Sequence, residues 1–131
     1  PTSYEAFRHI DQQIRASGRS PNYRPLVYIC SPYAGQIEKN VENARKYSHI
    51  AADRGYLPIA PHLLFPQFLD DSLEEDRQLG MFMGLVLLTK CAEIWVFGST
   101  ISDGMSVEID KAIQRDMPVR YFTESGKEVC T

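Results

Sequence analysis

Apolar positions recur along this chain with two periods, one of 3.6 residues and one of short unbroken runs. Residues 3–17 carry Phe7, Ile10 and Ile14 at helical spacing, with Thr2 or Ser3 available as a cap, and predict a helix. Gly18 to Pro25 is rich in turn formers and reads as a linker. The helix and linker, residues 1–25, are therefore expected to form an appendage, packed on the main body or on a neighbouring subunit. The main body spans 26–131 and alternates. Leu26–Cys30 is an apolar run ending at Ser31-Pro32 and predicts a first strand. Residues 37–54 repeat Ile37, Val41, Ala44, Ser48 and Ala51 on one helical face, stopped by Gly55. Tyr56–Ala60 predicts a second strand, closed by Pro61. Residues 73–90 predict a helix whose acidic first turn (Glu74, Glu75, Asp76) suits the positive end of its dipole. Ile94–Phe97 predicts a third strand closed by Gly98, and 104–116 a helix with Met105, Ile109 and Ala112 inward. Val119–Phe122 is a fourth strand introduced by Pro118, and the tail from Glu124 to Thr131 adds an edge strand. Strands and helices in this alternation imply right-handed crossovers and an α/β fold with a parallel sheet covered on both faces.

One helix breaks the pattern. From Leu79 to Leu88 it is apolar nearly all round, whereas covering one face of a sheet needs only a stripe. It is either a central core helix or a subunit interface. A chain of 131 residues has little interior in which to hide it, so a homo-oligomer formed through helix 73–90 is expected.

Composition narrows the function classes. At 131 residues, 44% hydrophobic and 24% charged, the chain fits one core of ordinary soluble type. A formal net charge of −3 argues against nucleic acid as partner. A small anionic ligand is still allowed, because backbone N–H groups can hold a phosphate on an acidic protein. Cys30, Cys91 and Cys130 are odd in number and form no CxxC or Cys/His cluster, so free thiols, a cytoplasmic location and no metal site are expected. Pro1 to Arg8 do not read as a signal sequence, and Leu79–Leu88 is too short to span a bilayer, so no membrane partner is expected.

Open parallel sheets bind ligands beyond the carboxyl ends of their strands, where the strand order reverses. For the common order 2-1-3-4 the reversal falls between the first and third strands. Two loops should meet there, Ser31-Pro32-Tyr33-Ala34-Gly35-Gln36 and Gly98 to Gly104, the latter with Ser102 and Asp103. Both are rich in small residues and both run into a helix N-terminus, which suits an anionic oxygen. Either loop alone reads as a tight turn; the pair at one crevice points to a ligand. Glu108 borders the inward stripe of its helix, three residues after Met105 and four before Ala112. Desolvation would raise its pKa and the helix dipole would lower it. Aimed at a ligand it could act as a nucleophile or stabilise a sugar cation; otherwise it is a solvated helix glutamate. His62, after the second strand, is either a ligand contact or a structural histidine. Tyr28 should be a core residue whose hydroxyl needs a partner. Phe65, Pro66 and Phe68 read as an apolar loop that stacks on a base or packs on the long apolar helix.

These residues also form a recognisable set. Val27 to Gly35 (VYICSPYAG), Asn40 and Ala44, Pro58-Ile59-Ala60-Pro61-His62, Glu93 to Gly98 (EIWVFG) and Ser102 to Glu108 (SDGMSVE) together resemble the nucleoside 2-deoxyribosyltransferase-like superfamily, nearest to its short bacterial and phage members. The resemblance covers residues 26–122 and leaves out the helix at 3–17. It implies a flavodoxin-like sheet and an N-glycosidase-like enzyme without cofactor. Such an enzyme either transfers 2-deoxyribose between bases or hydrolyses a 2′-deoxynucleoside 5′-phosphate. It implies Glu108 as nucleophile with Tyr28 beside it. Ser102 resembles the phosphate-binding serine of the hydrolases, His62 their histidine, and Ser31 to Gly35 their phosphate loop. One position departs. The superfamily carries an Asp about two helical turns before the third strand, and this chain has Gly84 and Leu85 there. Either one of Asp70, Asp71, Glu74, Glu75 and Asp76 swings in, or the leaving base is protonated otherwise, or the chain is a non-catalytic nucleotide-binding module.

Overall fold

Val27, Tyr28, Ile29 and Cys30 are all buried, which a strand achieves only when both its faces are covered. The computed structural model describes residues 2–16 and 23–129, without the side chains of 14–16. Most of the expected linker, the side chain of Ile14, and Cys130 thus lie outside the described residues. The chain runs α1 (Ser3–Ala16), β1 (Leu26–Cys30), α2 (Ile37–Asp53), β2 (Leu57–Ile59), α3 (Pro61–Leu64), a 3₁₀ turn (Phe65–Gln67), α4 (Glu74–Thr89), β3 (Glu93–Phe97), α5 (Asp103–Gln114), β4 (Val119–Phe122) and β5 (Glu128–Val129). The sheet order is β2-β1-β3-β4-β5. The β1, β2, β3 and β4 pairings are parallel, and β5 returns antiparallel on β4. This is the flavodoxin-like order expected from the sequence, with the tail strand as its fifth member.

Alternation along the strands sorts the core into two layers. Tyr28, Cys30, Ile94 and Val96 face α4 and α5, where they meet Leu88, Met105, Ile109 and Ala112. Val27, Ile29, Trp95, Phe97 and Phe122 face α2 and pack on Tyr47 and Ala51. The buried stripe of α2 is Ala44, Tyr47 and Ala51. Ile37, the first residue of the helix, is exposed, contrary to the sequence reading. Tyr47, next to the expected Ser48, is the position that turns inward, and it stacks on Phe97 at 4.2 Å.

The second layer is closed by cations rather than by another helix. Trp95 lies beneath the Arg120 guanidinium at 4.9 Å and the Arg54 guanidinium at 5.9 Å. Arg120 in turn bonds Glu128 at 2.7 Å and Glu93 at 3.1 Å, tying β5 to β4 and β3. Arg54 donates to the carbonyl of Gly126 at 2.7 Å. Gly126 has a φ of +89°, and a Cβ there would lie 2.5 Å from Ile50 Cδ1, so the β4–β5 turn needs glycine.

Helix α1 opens with a capping box: Thr2 Oγ1 accepts from the Glu5 N–H at 3.1 Å while the Glu5 carboxylate accepts from the Thr2 N–H. Of the two expected packings, on the body or on a neighbouring subunit, the first is not seen: Tyr4, Phe7 and Ile10 are all more than half exposed. Helix α4 buries Gly84 and Leu88 and leaves Leu79, Phe82 and Val86 exposed on its outer side. Among the described residues no helix is long and apolar enough to cross a membrane.

Candidate active site

Strand order reverses between β1 and β3, and a cavity of about 530 Å³ opens there beyond their carboxyl ends. Each wall has a simple local cause. Ser31 follows directly on β1 and is buried by it. The loop beyond is held by Asn40 on α2, whose amide donates to the carbonyls of Tyr33 at 2.9 Å and Ala34 at 3.2 Å. After β2, Pro61 at a first helical position starts the short α3, which carries His62. After β3, Ser102 caps α5 by accepting from the Met105 N–H at 3.3 Å. That bond uses a lone pair of Ser102 and leaves its hydroxyl proton free to donate elsewhere.

Of the residues expected at a site, Tyr28, Ser31, Tyr33, His62, Ser102, Asp103, Gly104 and Glu108 line this cavity together. Pro32 and Gly35 belong to the same β1–α2 loop but do not line it. Gly35 has a φ of +94° and turns the loop toward α2.

Glu108 is 8% exposed, one helical turn from Met105. Tyr28, pointing from β1, donates its hydroxyl to Glu108 Oε2. The hydroxyl that had to find a partner thus meets the one buried carboxylate of the described core. Burial pushes the Glu108 carboxyl up to about 7, against the opposing pull of the Tyr28 and Cys30 hydrogen bonds. Burial, reinforced by the Glu108 charge, pushes the Tyr28 phenol above its ordinary value, so it remains a donor.

His62 Nε2 lies 2.9 Å from the Ser31 carbonyl oxygen. A carbonyl only accepts, so Nε2 carries the proton. Burial holds the His62 pKa below its ordinary value despite that bond and the nearby Asp71 charge. The ring is therefore neutral at pH 7, with Nδ1 as an acceptor. Tyr33 stacks on it with centroids 5.0 Å apart. The Ser31 hydroxyl is buried and has no hydrogen-bond partner among the described residues.

Residues from α4 and the segment before it complete the cavity. Asp71 and Asp76, two of the upstream acids, line it, with Arg77, Gly80, Met81 and Gly84. Asp76 also accepts from the Asp70 N–H at 2.8 Å, which ties the segment before α4 to the helix. Asp76, Gly80 and Gly84 are four apart and share one helical face. That spacing was the available signal, but two of its three positions fall within Leu79–Leu88, which is apolar nearly all round. A Cβ at Gly84 would lie 3.2 Å from the Tyr28 hydroxyl oxygen, so glycine lets α4 pass close to the Tyr28–Glu108 pair. Phe65 and Pro66 also line the cavity, from a 3₁₀ turn where the sequence suggested a loop. No group of three or more His, Cys, Asp or Glu among the described residues is arranged to hold a metal ion.

Sheet order and cavity together define a flavodoxin-like α/β protein with a buried carboxylate at its topological switch point. The chain belongs to the family described as a domain of unknown function (DUF7768), which matches residues 25–122. Among solved structures it is similar to a 2-deoxyribosyltransferase from the psychrotolerant bacterium Bacillus psychrosaccharolyticus, with a TM-score of 0.63 and 17% identity over 80% of this chain and 77% of that one. At that identity the likeness is one of fold. No curated protein matches the chain.

Proposed function

We propose that this protein cleaves the bond between base and sugar in a nucleoside 5′-monophosphate or a related nucleotide or nucleoside. The carrying observation is Glu108, buried, held by the Tyr28 hydroxyl and facing a switch-point cavity that also contains the unpartnered Ser31 hydroxyl. The resemblance in motif order and the fold shared with a 2-deoxyribosyltransferase support the same reading.

In this mechanism the ionised Glu108 carboxylate attacks C1′ as the C1′–N bond to the base breaks, through an oxocarbenium-like transition state. The base departs with the bonding pair and takes up a proton. Water then hydrolyses the glycosyl ester, or a second base accepts the sugar. With its carboxyl pushed up to about 7, Glu108 is still available in part as the carboxylate at neutral pH. Tyr28 orients it. Ser31, Ser102 and the first-turn N–H groups at Asp103 and Gly104 hold the 5′-phosphate, favoured by the α5 dipole. Pro32 and Gly35 shape the loop, and Tyr33 closes its end of the cavity. Neutral His62 offers an acceptor rather than a charge, so it receives a sugar hydroxyl and does not bind phosphate. Asp71 and Asp76 are the carboxyl groups available to the departing base.

Gly84 favours a second reading, a nucleotide-binding module without turnover, because it stands where the resembled superfamily carries its Asp. Incubating the protein with a panel of nucleosides and 5′-monophosphates, scored for both binding and free base, separates the two. Base release supports the enzyme, and saturable binding without release supports the module. No binding to any member overturns both.

The reading includes a homo-oligomer, with a second copy covering Leu79, Phe82 and Val86 on α4. Sedimentation at micromolar concentration is expected to give a mass above 14.9 kDa, and a Phe82→Asp variant to lower it toward that of one chain. A wild-type monomer counts against it.

A further inference from the structure

Tyr28 and Cys30 are two apart on β1 and therefore project from the same face of the sheet. Both belong to the layer packed on α5. The Tyr28 hydroxyl bonds Glu108 Oε2, and Cys30 Sγ lies 3.6 Å from the other oxygen, Oε1. The alternative acceptor for the thiol, the Met105 carbonyl, is more distant at 4.0 Å. A carboxylate oxygen is also the stronger acceptor.

We propose that Cys30 is a positioning residue for Glu108: its thiol donates to Oε1 while Tyr28 holds Oε2, so that one strand fixes both oxygens of the carboxylate. The clamp matters for turnover only on the reading of Glu108 as the reacting group, but the contact itself does not depend on that reading. Burial, reinforced by the Glu108 charge, pushes the Cys30 thiol well above its usual range, so it keeps its proton when Glu108 ionises. A thiol is a weak donor. It fixes orientation while withdrawing little of the electron density an attacking carboxylate needs. Cys30 contacts Glu108 from the core side; besides Tyr28, the titratable groups that line the Glu108 cavity are Tyr33, His62, Asp71, Asp76, Arg77 and Asp103, from the β1 loop, α3, the segment before α4, α4 itself and α5.

The test follows the Glu108 carboxyl carbon by ¹³C NMR in glutamate-labelled protein, assigned by its loss in Glu108→Gln. The wild-type midpoint is expected near 7. Removing the donor in Cys30→Ala disfavours the charged form and should raise the midpoint, lowering the ionisation constant about threefold. Cys30→Ser, which keeps a donor, should return the midpoint to the wild-type value or below. An unmoved midpoint in a natively folded Cys30→Ala protein, or a serine variant shifted as far as the alanine one, overturns the proposal. If Cys30→Ala does not fold, the S–H infrared stretch of the wild-type protein serves instead. It should fall in frequency as Glu108 ionises and lose that response in Glu108→Gln, and a band indifferent to pH overturns the proposal. All of these readouts are made without substrate. An absence of base release therefore leaves the clamp standing, and a failed clamp leaves base release standing.

Discussion

Glu108→Gln should yield a folded protein that releases base at least on the order of a thousandfold more slowly than the wild type, yet resists denaturant better above pH 7. The first effect follows from the proposed chemistry, since an amide neither attacks C1′ nor carries the charge that stabilises an oxocarbenium ion. The second follows from burial. The Glu108 carboxyl sits at about 7 in the folded protein, against an ordinary value of 4.5. A raised carboxyl binds protons more tightly in the folded state. Its stabilising contribution is complete below 4.5 and is lost as pH rises through 7. Above that pH the wild type holds a desolvated charge, and glutamine does not. The glutamine carbonyl can still accept from Tyr28, with its amide turned toward Cys30 Sγ. Urea titrations at pH 5 and pH 8.5 should show the variant gaining about 2 kcal/mol relative to wild type between the two. Equal differences at both pH values would mean that Glu108 is not desolvated. Full base release by the variant would end its assignment as the reacting group. A site that costs stability while serving chemistry is a common trade.

The largest structural loss is expected at Trp95. It is fully buried at the centre of the aromatic layer, with Phe122 at 4.6 Å and Tyr56 at 4.7 Å between ring centroids. Its indole N–H donates to Glu93 at 2.7 Å, and Arg120 and Arg54 lie over its ring. Trp95→Ala removes the ring, opens a cavity between α2 and the sheet, and leaves both guanidiniums with Phe122 as their remaining ring contact in this layer. Denaturant unfolding should show a loss of about 3–5 kcal/mol, read as a lower midpoint with an unchanged slope. A loss under about 1 kcal/mol would mean that the layer collapses into the space.

The body of the fold was legible because its strands are short, β-rich and cut off by Pro or Gly. β1 and β4 have the bounds that the apolar runs predict, Leu26–Cys30 and Val119–Phe122. The turn of helix at Pro61–Leu64 was not legible, since four residues are too few to display a period. The true inward face of α2 was also obscured, because Tyr47 and Ser48 are adjacent and either could continue a stripe through Ala44. Glu108 could be found because it interrupts the apolar face of α5. Asp76 was among the upstream acids the sequence offered, but Gly80 and Gly84 lie within Leu79–Leu88, where apolar residues on nearly every side leave no polar contrast to mark a face. Cys30 sits in an unbroken apolar run, and the acceptor for its thiol lies 78 residues away. Only the folded geometry brings that pair together.

At the far margin of the sheet, β2 pairs with β1 alone, and its Leu57 N–H turns inward to the Pro25 carbonyl at 2.9 Å. The next residue is Pro58, whose nitrogen therefore points outward and has no hydrogen to give. A foreign strand laid along this margin would meet a missing rung at the middle of three residues. Fibrillar growth by edge-to-edge addition is thus blocked on this side by one ring closure, and a Pro58→Val chain would have lost that guard.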